Sequence, residues 1–472
     1  MADASALFHT PGSGETLYAR ITPSPAQFAA QKARWNDLRD FLKTRLKEDS
    51  GYPISTWLQG SYKFDTQIRP WTAGAEFDID LGVYFEWRGR DDDGNHEPDG
   101  FKKIIQGALE DYSEDGSNDS SGVEKSKERC SRISFRPDFH IDIPSYHLDR
   151  AADRRALATE TLGWEQSDPK AIYKWFRDRH EDPVDRAQLR RQICYIKMWA
   201  ALNITEESNR PSSIMLTVLV AEEFGTIDRT PGDGDDRVLE ALITSLLARL
   251  RIDSTIPNPI DKKEDLSRLS GPAKAGLLSA LDEFQQIAER ANQAPDIGTS
   301  AEIWSEAFLH FFPMPEDVDN EFKDVCEAHK RADEINTALV AYQFDPKIFV
   351  RAVSKDNSSY VREGLNHLPQ IAKNCSISFT LQNSNELPPG ASVRWTVRNR
   401  GDEAWTKNDV GHVSYSDHRN QESSAYNGKH AMDVAVYHMG RVIGRRRIYI
   451  DVRGGAMPPR QLPPKKNFRP MG

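Results

Sequence analysis

Cysteine is scarce. The 472 residues hold four, Cys130, Cys194, Cys326 and Cys375, with no CxxC pair and no zinc-ligand set among them. A reduced, cytoplasmic protein with unpaired thiols is expected. No run of about eighteen apolar residues occurs, so no membrane span is expected. The first thirty residues lack a basic stretch followed by an apolar core, so no signal peptide is read there. No internal repeat and no low-complexity domain is visible. Positive charge is also in deficit. The formal net charge is −10. Residues 373–472 hold sixteen Lys/Arg against eight Asp/Glu, a balance of +8, which leaves −18 on the first 372. Generic nucleic-acid binding works by neutralising phosphates, so a body this acidic points to a small charged metabolite rather than a long polynucleotide.

What remains is a chain with 28% charged residues and a mean hydropathy of −0.66, long enough for two or three domains. The fold class read from its periodicities is α+β. Residues 24–48 carry Phe28, Trp35, Leu38, Leu42 and Leu46 at helical spacing, with Pro23 or Ser24 to open the helix. A short apolar stretch over 54–58 leads into Gly60-Ser61. Residues 77–87 alternate as a strand, 101–112 form a short helix, and 131–143 read as a second strand. Helices are expected over 169–180, 186–203, 212–225, 235–251, 264–292, 299–311 and 318–341. From Cys375 the period changes. Segments 375–381, 391–399, 410–415, 430–438 and 441–452 alternate between turns, as in a small all-β module. The stretch from Gly454 is rich in Pro, Lys and Arg and is expected to be a flexible tail.

Two features carry chemistry. Asp78 and Asp80 stand two apart in an apolar strand and so point to one face. Like charges so close repel, and hard oxygen ligands of this kind suit Mg²⁺ or Mn²⁺. Asp142, on the later strand, would complete a site for two ions, or act as the base that accepts a hydroxyl proton. Gly60-Ser61 lies seventeen positions before Asp78, counted from Ser61. Its glycine allows close approach to a phosphate, and Ser61 offers a hydroxyl and an N–H at a helix start. Alone, Gly-Ser is an ordinary turn and Asp-x-Asp a solvated strand edge. In conjunction they describe a nucleotidyltransferase site.

Gln59-Gly60-Ser61-Tyr62, Arg69-Pro70, Phe77-Asp78-Ile79-Asp80-Leu81-Gly82-Val83-Tyr84 and His140-Ile141-Asp142-Ile143-Pro144 resemble the cGAS/DncV-like nucleotidyltransferases, most of all the bacterial second-messenger dinucleotide synthetases. The resemblance covers roughly residues 20–345. It implies a polymerase-β-like core with a helical second lobe closing a cleft. Asp78, Asp80 and Asp142 would then be catalytic and hold the metals, and Gly60 and Ser61 would bind the donor triphosphate. Lys197 resembles the family's triphosphate-binding lysine, and Ser212 or Ser213 the serine that joins it. The plainer readings are a solvent-facing lysine and a helix N-cap after Pro211. Asn258-Pro259 with Glu264-Asp265-Leu266 resembles a loop near the base, or is a stiffened turn and a helix start.

A second resemblance, over 373–453, is to the C-terminal sensor domain of some cyclases (AGS-C). There Trp395, Trp405, Tyr426 and His430 would meet a base and Arg445 to Arg447 its phosphates, unless the aromatics are core and the arginines a wet face.

The expected order is therefore a catalytic core over 1–165, a helical lobe over 166–350, a linker over 351–372, a β-rich sensor-like domain over 373–453 and a tail over 454–472. The implied activity is metal-dependent synthesis of a cyclic oligonucleotide, a cyclic di-purine from ATP and/or GTP, in bacterial anti-phage signalling (CBASS). A downstream effector would read the product. Without a His/Cys zinc thumb, no DNA activator is expected. Gly472 fits conjugation by a ubiquitin-ligase-like partner, or is a chance terminal residue. The rival readings are a terminal nucleotidyltransferase acting on RNA or protein and a non-catalytic nucleotide-sensing scaffold.

Overall fold

A computed structural model describes residues 3–72, 75–136, 139–230, 232–315, 344–416, 418–439 and 441–456. It divides into two compact units, Met1–Phe308 and Leu309–Gly472. The expected helix over 318–341 and the terminal Gly472 lie outside the described residues.

The first unit opens with helices α1 (Ser5–Phe8), α2 (Leu17–Ile21) and α3 (Pro25–Ser50). Ser24 and Gln27 close a capping box at the start of α3, and Gly51, in a left-handed conformation, ends it. The sheet follows, with β1 (Ile54–Gln59), β2 (Phe77–Glu86), β3 (Ser120–Val123), β4 (Ser131–Phe135), β5 (Phe139–Ile143), β6 (Ser145–Asp149), β7 (Arg154–Ala158) and β8 (Trp164–Gln166). The one-turn helix α4 (Gly60–Phe64) joins β1 towards β2, and α5 (Pro98–Glu114) follows β2. These eight strands make one sheet. β1 runs antiparallel along one edge of β2, while β5 and β6 run parallel to it in the same register on either side of Pro144.

Alternation along β2 sorts its side chains. Phe77, Ile79, Leu81, Val83 and Phe85 are buried with Leu38, Leu42 and Leu46 of α3 and Phe101, Ile105 and Leu109 of α5. Each such side chain contributes about 1.5–3 kcal/mol on burial, so the register of β2 is strongly fixed. A slip by one residue would turn Asp78 and Asp80 into that core.

The segment 131–143 is not one strand. It is the antiparallel pair β4 and β5, with Phe135 opposite Phe139 at the end where the chain turns back.

Helices α6 (Pro169–Arg177), α7 (Pro183–Asn203), α8 (Ser213–Glu223), α9 (Asp235–Ile252), α10 (Gly271–Asn292) and α11 (Ile297–Phe308) complete the unit. Trp199 of α7 stacks on Phe284 of α10 at 4.7 Å. Tyr195 of α7 donates to Asp235 at 2.8 Å. The helix expected from 264 begins at Gly271, behind the Ser270 cap. Residues 257–266 instead fold back on themselves through Asn258 N–H to the Glu264 carbonyl (2.8 Å) and Leu266 N–H to the Ile256 carbonyl (2.8 Å).

The second unit is two sheets around one core. The four-stranded sheet contains β9 (Ile348–Ser354), β10 (Val361–Leu365), β12 (Cys375–Leu381) and β15 (Arg419–Ser423). The five-stranded sheet contains β11 (Ile371–Lys373), β13 (Ser392–Arg398), β14 (Gly411–Tyr415), β16 (Gly428–His438) and β17 (Arg441–Ala456). The segment 351–372, expected as a linker, is therefore built into both sheets. Its strand β9 alternates Ile348, Val350, Ala352 and Ser354 inward. Gly454 to Ala456, expected as tail, end β17. Among the described residues, no helix is long and apolar enough to cross a membrane.

Candidate active site

The face of β2 opposite its core carries the acidic residues. Parallel pairing with β5 sets Asp78 beside His140 and Asp80 beside Asp142. Antiparallel pairing sets Gln59 beside Asp80 on one side and Arg132 beside Asp142 on the other. Gln59, Asp80, Asp142 and Arg132 thus form one row across four strands. Gln59 is held rigid: its amide donates to Tyr84 Oη (3.0 Å) and accepts from Tyr146 Oη (3.1 Å). The next residue, Gly60, has φ +58°, and a Cβ there would lie 1.8 Å from Asp80 Oδ2. Only glycine lets the turn and this carboxylate share the space.

Charge in the row is balanced unevenly. Arg132 grips Asp142 with two hydrogen bonds, of 2.5 and 2.8 Å. Burial opposes ionisation of Asp142, but the guanidinium prevails and holds its carboxyl below the usual range. Asp80 is the reverse. Burial first, then the charges of Asp78 and Asp142, push its carboxyl well above the ordinary value. Asp78 is the most open, with 51% of its side chain exposed, and Gln67 Nε2 donates to its backbone carbonyl at 2.8 Å. Three carboxylates converging on one partly desolvated face are costly unless cations join them. The donor set of hard oxygens fits a divalent ion. Ligand atoms of Asp78, His140 and Asp142 all lie within 4.8 Å of one another. Asp80 stands outside that trio, against Gly60.

Beside the acids is a cavity of about 280 Å³ whose walls include Ser61, Asp78, Lys197 and Ser213. Lys197 is only 5% exposed, not solvent-facing. Its ammonium donates to Thr66 Oγ1 (3.1 Å) and the Thr66 carbonyl (3.3 Å), and burial pushes its pKa down to about 8. The two adjacent serines divide. Ser212 caps α8 by accepting from Met215 N–H at 3.3 Å, while Ser213 faces the cavity. Helix α4 spans five residues, so its dipole is small and Ser61 offers mainly its hydroxyl and its own N–H.

Residues 54–146 match the family "Cyclic GMP-AMP synthase DncV-like, nucleotidyltransferase domain", and residues 327–453 match the "Adenylyl/Guanylyl and SMODS C-terminal sensor domain". A protein named cyclic GMP-AMP synthase from Escherichia albertii is 28% identical over 457 residues, 96% of each chain. Residues 54–146 thus carry a DncV-like nucleotidyltransferase domain, and over its length the chain is similar to a cyclic GMP-AMP synthase. Its fold resembles Escherichia coli DncV in the 3'-deoxy GTP bound form, with TM-score 0.55 and 19% identity over 65% of this chain and 96% of that one. It also resembles Vibrio cholerae DncV cyclic AMP-GMP synthase in complex with the linear intermediate 5' pppA(3',5')pG, with TM-score 0.53 and 17% identity over 65% and 95%.

As a DncV-like enzyme, the chain brings to its acidic face several residues that sequence reading left without a role. These are Arg132, His140, Glu76 and Gln67. Only His140 carried a signal, its place two positions before Asp142. The others reach the site through strand pairing and loop closure. Asn258 and Glu264 instead close their own turn, Nδ2 to Oε2 at 2.6 Å.

In the sensor-type unit the expected ligand contacts separate. Trp395 is buried in the core and donates to the Ser416 carbonyl. Arg447 and Arg398 close on the half-buried Asp433, and Arg446 pairs with Asp345. Tyr426 and His430 do line a cavity, of about 240 Å³, together with Asp409, His412 and Glu422. Tyr426 Oη donates to Asp409 at 3.0 Å, and His412 Nε2 lies 3.0 Å from Glu422. An acidic wall of that kind disfavours a phosphate.

Proposed function

We propose that the protein is a metal-dependent synthase of a cyclic di-purine second messenger, made from ATP and GTP with release of pyrophosphate. We place it in bacterial anti-phage signalling, with a downstream effector that reads the product. The observation that carries this reading is the meeting of Asp78, Asp80 and Asp142 at the Gly60-Ser61 turn, next to a cavity that Lys197 enters. The name of the Escherichia albertii relative and the linear intermediate held by the Vibrio cholerae protein support a ring closed in two steps.

In this reading Ser61 and Lys197 bind the donor triphosphate, Lys197 exchanging its Thr66 contacts for phosphate oxygens. Asp78, Asp80 and Asp142 would hold two divalent ions, Mg²⁺ or Mn²⁺, which when bound neutralise the triphosphate and activate the attacking hydroxyl. Arg132 keeps Asp142 ionised, which suits a ligand better than a proton acceptor. Ser213, in the wall of the same cavity, orients the same triphosphate. The ribose hydroxyl of one nucleotide attacks the α-phosphate of the other. A second attack in the same site closes the ring.

Purified protein incubated with labelled nucleotides and Mg²⁺ or Mn²⁺ tests this. A phosphatase-resistant small product is expected from the wild type and none from Asp78→Asn/Asp80→Asn. Equal product from both proteins would remove the assigned site, and label on a macromolecule would favour a terminal transferase.

A further inference from the structure

The second unit holds a cavity of about 240 Å³ between its two sheets, walled by β12 and β15 on one side and by β13, β14, β16 and β17 on the other. Protein interiors are close-packed, and a gap of that size forfeits contacts along its whole lining. Its floor is apolar. Ile377 and Phe379 come from one sheet, Met432 and Ile450 from the other, and all four are buried.

The polar wall carries one sign of charge. Asp409 accepts from Asn399 Nδ2 through Oδ1 (3.0 Å) and from Tyr426 Oη through Oδ2 (3.0 Å). Both donors are neutral, so they aim the carboxylate without cancelling its charge. Glu422 Oε1 lies 3.0 Å from His412 Nε2, and that pair can at most cancel its own charge. His430 Nε2 donates to the Tyr426 carbonyl at 2.9 Å, while Nδ1 accepts from the Arg400 backbone N–H at 3.3 Å. An imidazole that accepts at one nitrogen is uncharged. Among the described residues that line the cavity, none is a lysine or an arginine.

An apolar floor beneath a fixed carboxylate selects an apolar body with a positive nitrogen head. The head forms a charge-assisted hydrogen bond, which is stronger than a neutral one, and an anion meets repulsion in a site of low dielectric. Drug-sized ligands take about 300–1,000 Å³, so this volume suits one small ring system rather than a nucleotide. We propose that the cavity binds a compact organic cation, an aromatic amine or amidine whose head meets Asp409 and whose ring lies on the apolar floor. None of the proposed catalytic residues takes part.

The test uses the full chain and p-aminobenzamidine, an aromatic cation whose fluorescence rises in an apolar site. Saturable binding of one equivalent is expected. Benzamidine should displace it, the neutral isostere benzamide only at about tenfold higher concentration, and benzoate and AMP not at all. Asp409→Asn keeps the shape of the wall and removes the charge, and affinity should fall about tenfold. Glu422→Gln should lower it by a smaller factor, and it keeps the test decisive if Asp409→Asn fails to fold. Asp78→Asn/Asp80→Asn should leave binding unchanged, which separates the cavity from the other acidic cluster. Failure to saturate, displacement by benzamide and benzamidine at equal concentrations, or displacement by AMP would overturn the proposal. So would affinity unaltered by Asp409→Asn and Glu422→Gln, or lost in Asp78→Asn/Asp80→Asn.

Discussion

At Gly60 the difference between hydrogen and methyl sets the position of a carboxylate. The left-handed backbone and the approach of Asp80 both demand glycine. Gly60→Ala would push Asp80 off the row it shares with Asp142. Misplacement by about 1 Å costs on the order of 100-fold in rate, and that loss is expected in product formation with the far-ultraviolet circular dichroism preserved. Wild-type turnover in Gly60→Ala would mean that Asp80 does not need its place. Lys197 gives a second handle. Its pKa, lowered from 10.5 to about 8, keeps the ammonium charged below that pH and neutral above it. Affinity for a non-hydrolysable triphosphate should therefore weaken as pH rises through about 8, and the step should vanish in Lys197→Met. Stability moves the other way. Between about 8 and 10.5 the unfolded chain binds more protons, so this group favours the folded state increasingly as pH rises across that window. A pH profile of binding that keeps its step in Lys197→Met would assign the titration elsewhere.

Elements explain which of these features were legible. β2 announced itself by alternating Phe77, Ile79 and Leu81 with Asp78 and Asp80, and α3 by Leu38, Leu42 and Leu46. Both are local patterns, and both lie where expected. The pairing of strands is not local. Nothing in the spacing of Asp78 and His140 says that β2 and β5 run parallel in that register, so the place of His140 beside Asp78 was unreadable although the residue stood in view. The same holds for Arg132. Reading 131–143 as one strand places it far from Asp142, whereas the antiparallel pairing of β4 and β5 sets it opposite that carboxylate. In the second unit, β9 and β10 were hidden because a short alternating stretch beside polar turns resembles a linker until a partner strand covers it. The start of α8 shows a different limit. Sequence could not choose between Ser212 and Ser213, since both follow Pro211, but the cap geometry separates them. Ser212→Ala should cost about 1 kcal/mol of stability and leave nucleotide affinity unchanged. Ser213→Ala should weaken triphosphate binding with little change in thermal midpoint. A swap of those two outcomes, read by thermal denaturation and by titration calorimetry, would reverse the assignment.

On the scale of the whole molecule, charge decides what approaches. The first 372 residues carry −18, and they contain every candidate active-site residue. Such a body repels a polyanion over distances where salt does not screen, about 8 Å at physiological ionic strength. A nucleoside triphosphate is also anionic, but it is small enough for a few buried groups to capture it at close range. In the proposed reading, Lys197 and the cations that the acids would hold supply that local reversal of sign. Duplex DNA would need a basic groove many phosphates long, because its affinity comes from releasing counterions along the backbone. The arginines of the second unit do not readily provide one, since Arg398 and Arg447 are spent on Asp433 and Arg446 on Asp345. Adding duplex DNA at about 0.1 M salt should therefore leave product formation within about twofold of its basal rate, and the protein should not retard DNA in a gel. A tenfold or greater stimulation would require a contiguous positive surface that the charge distribution argues against, and it would make a nucleic acid an activating signal.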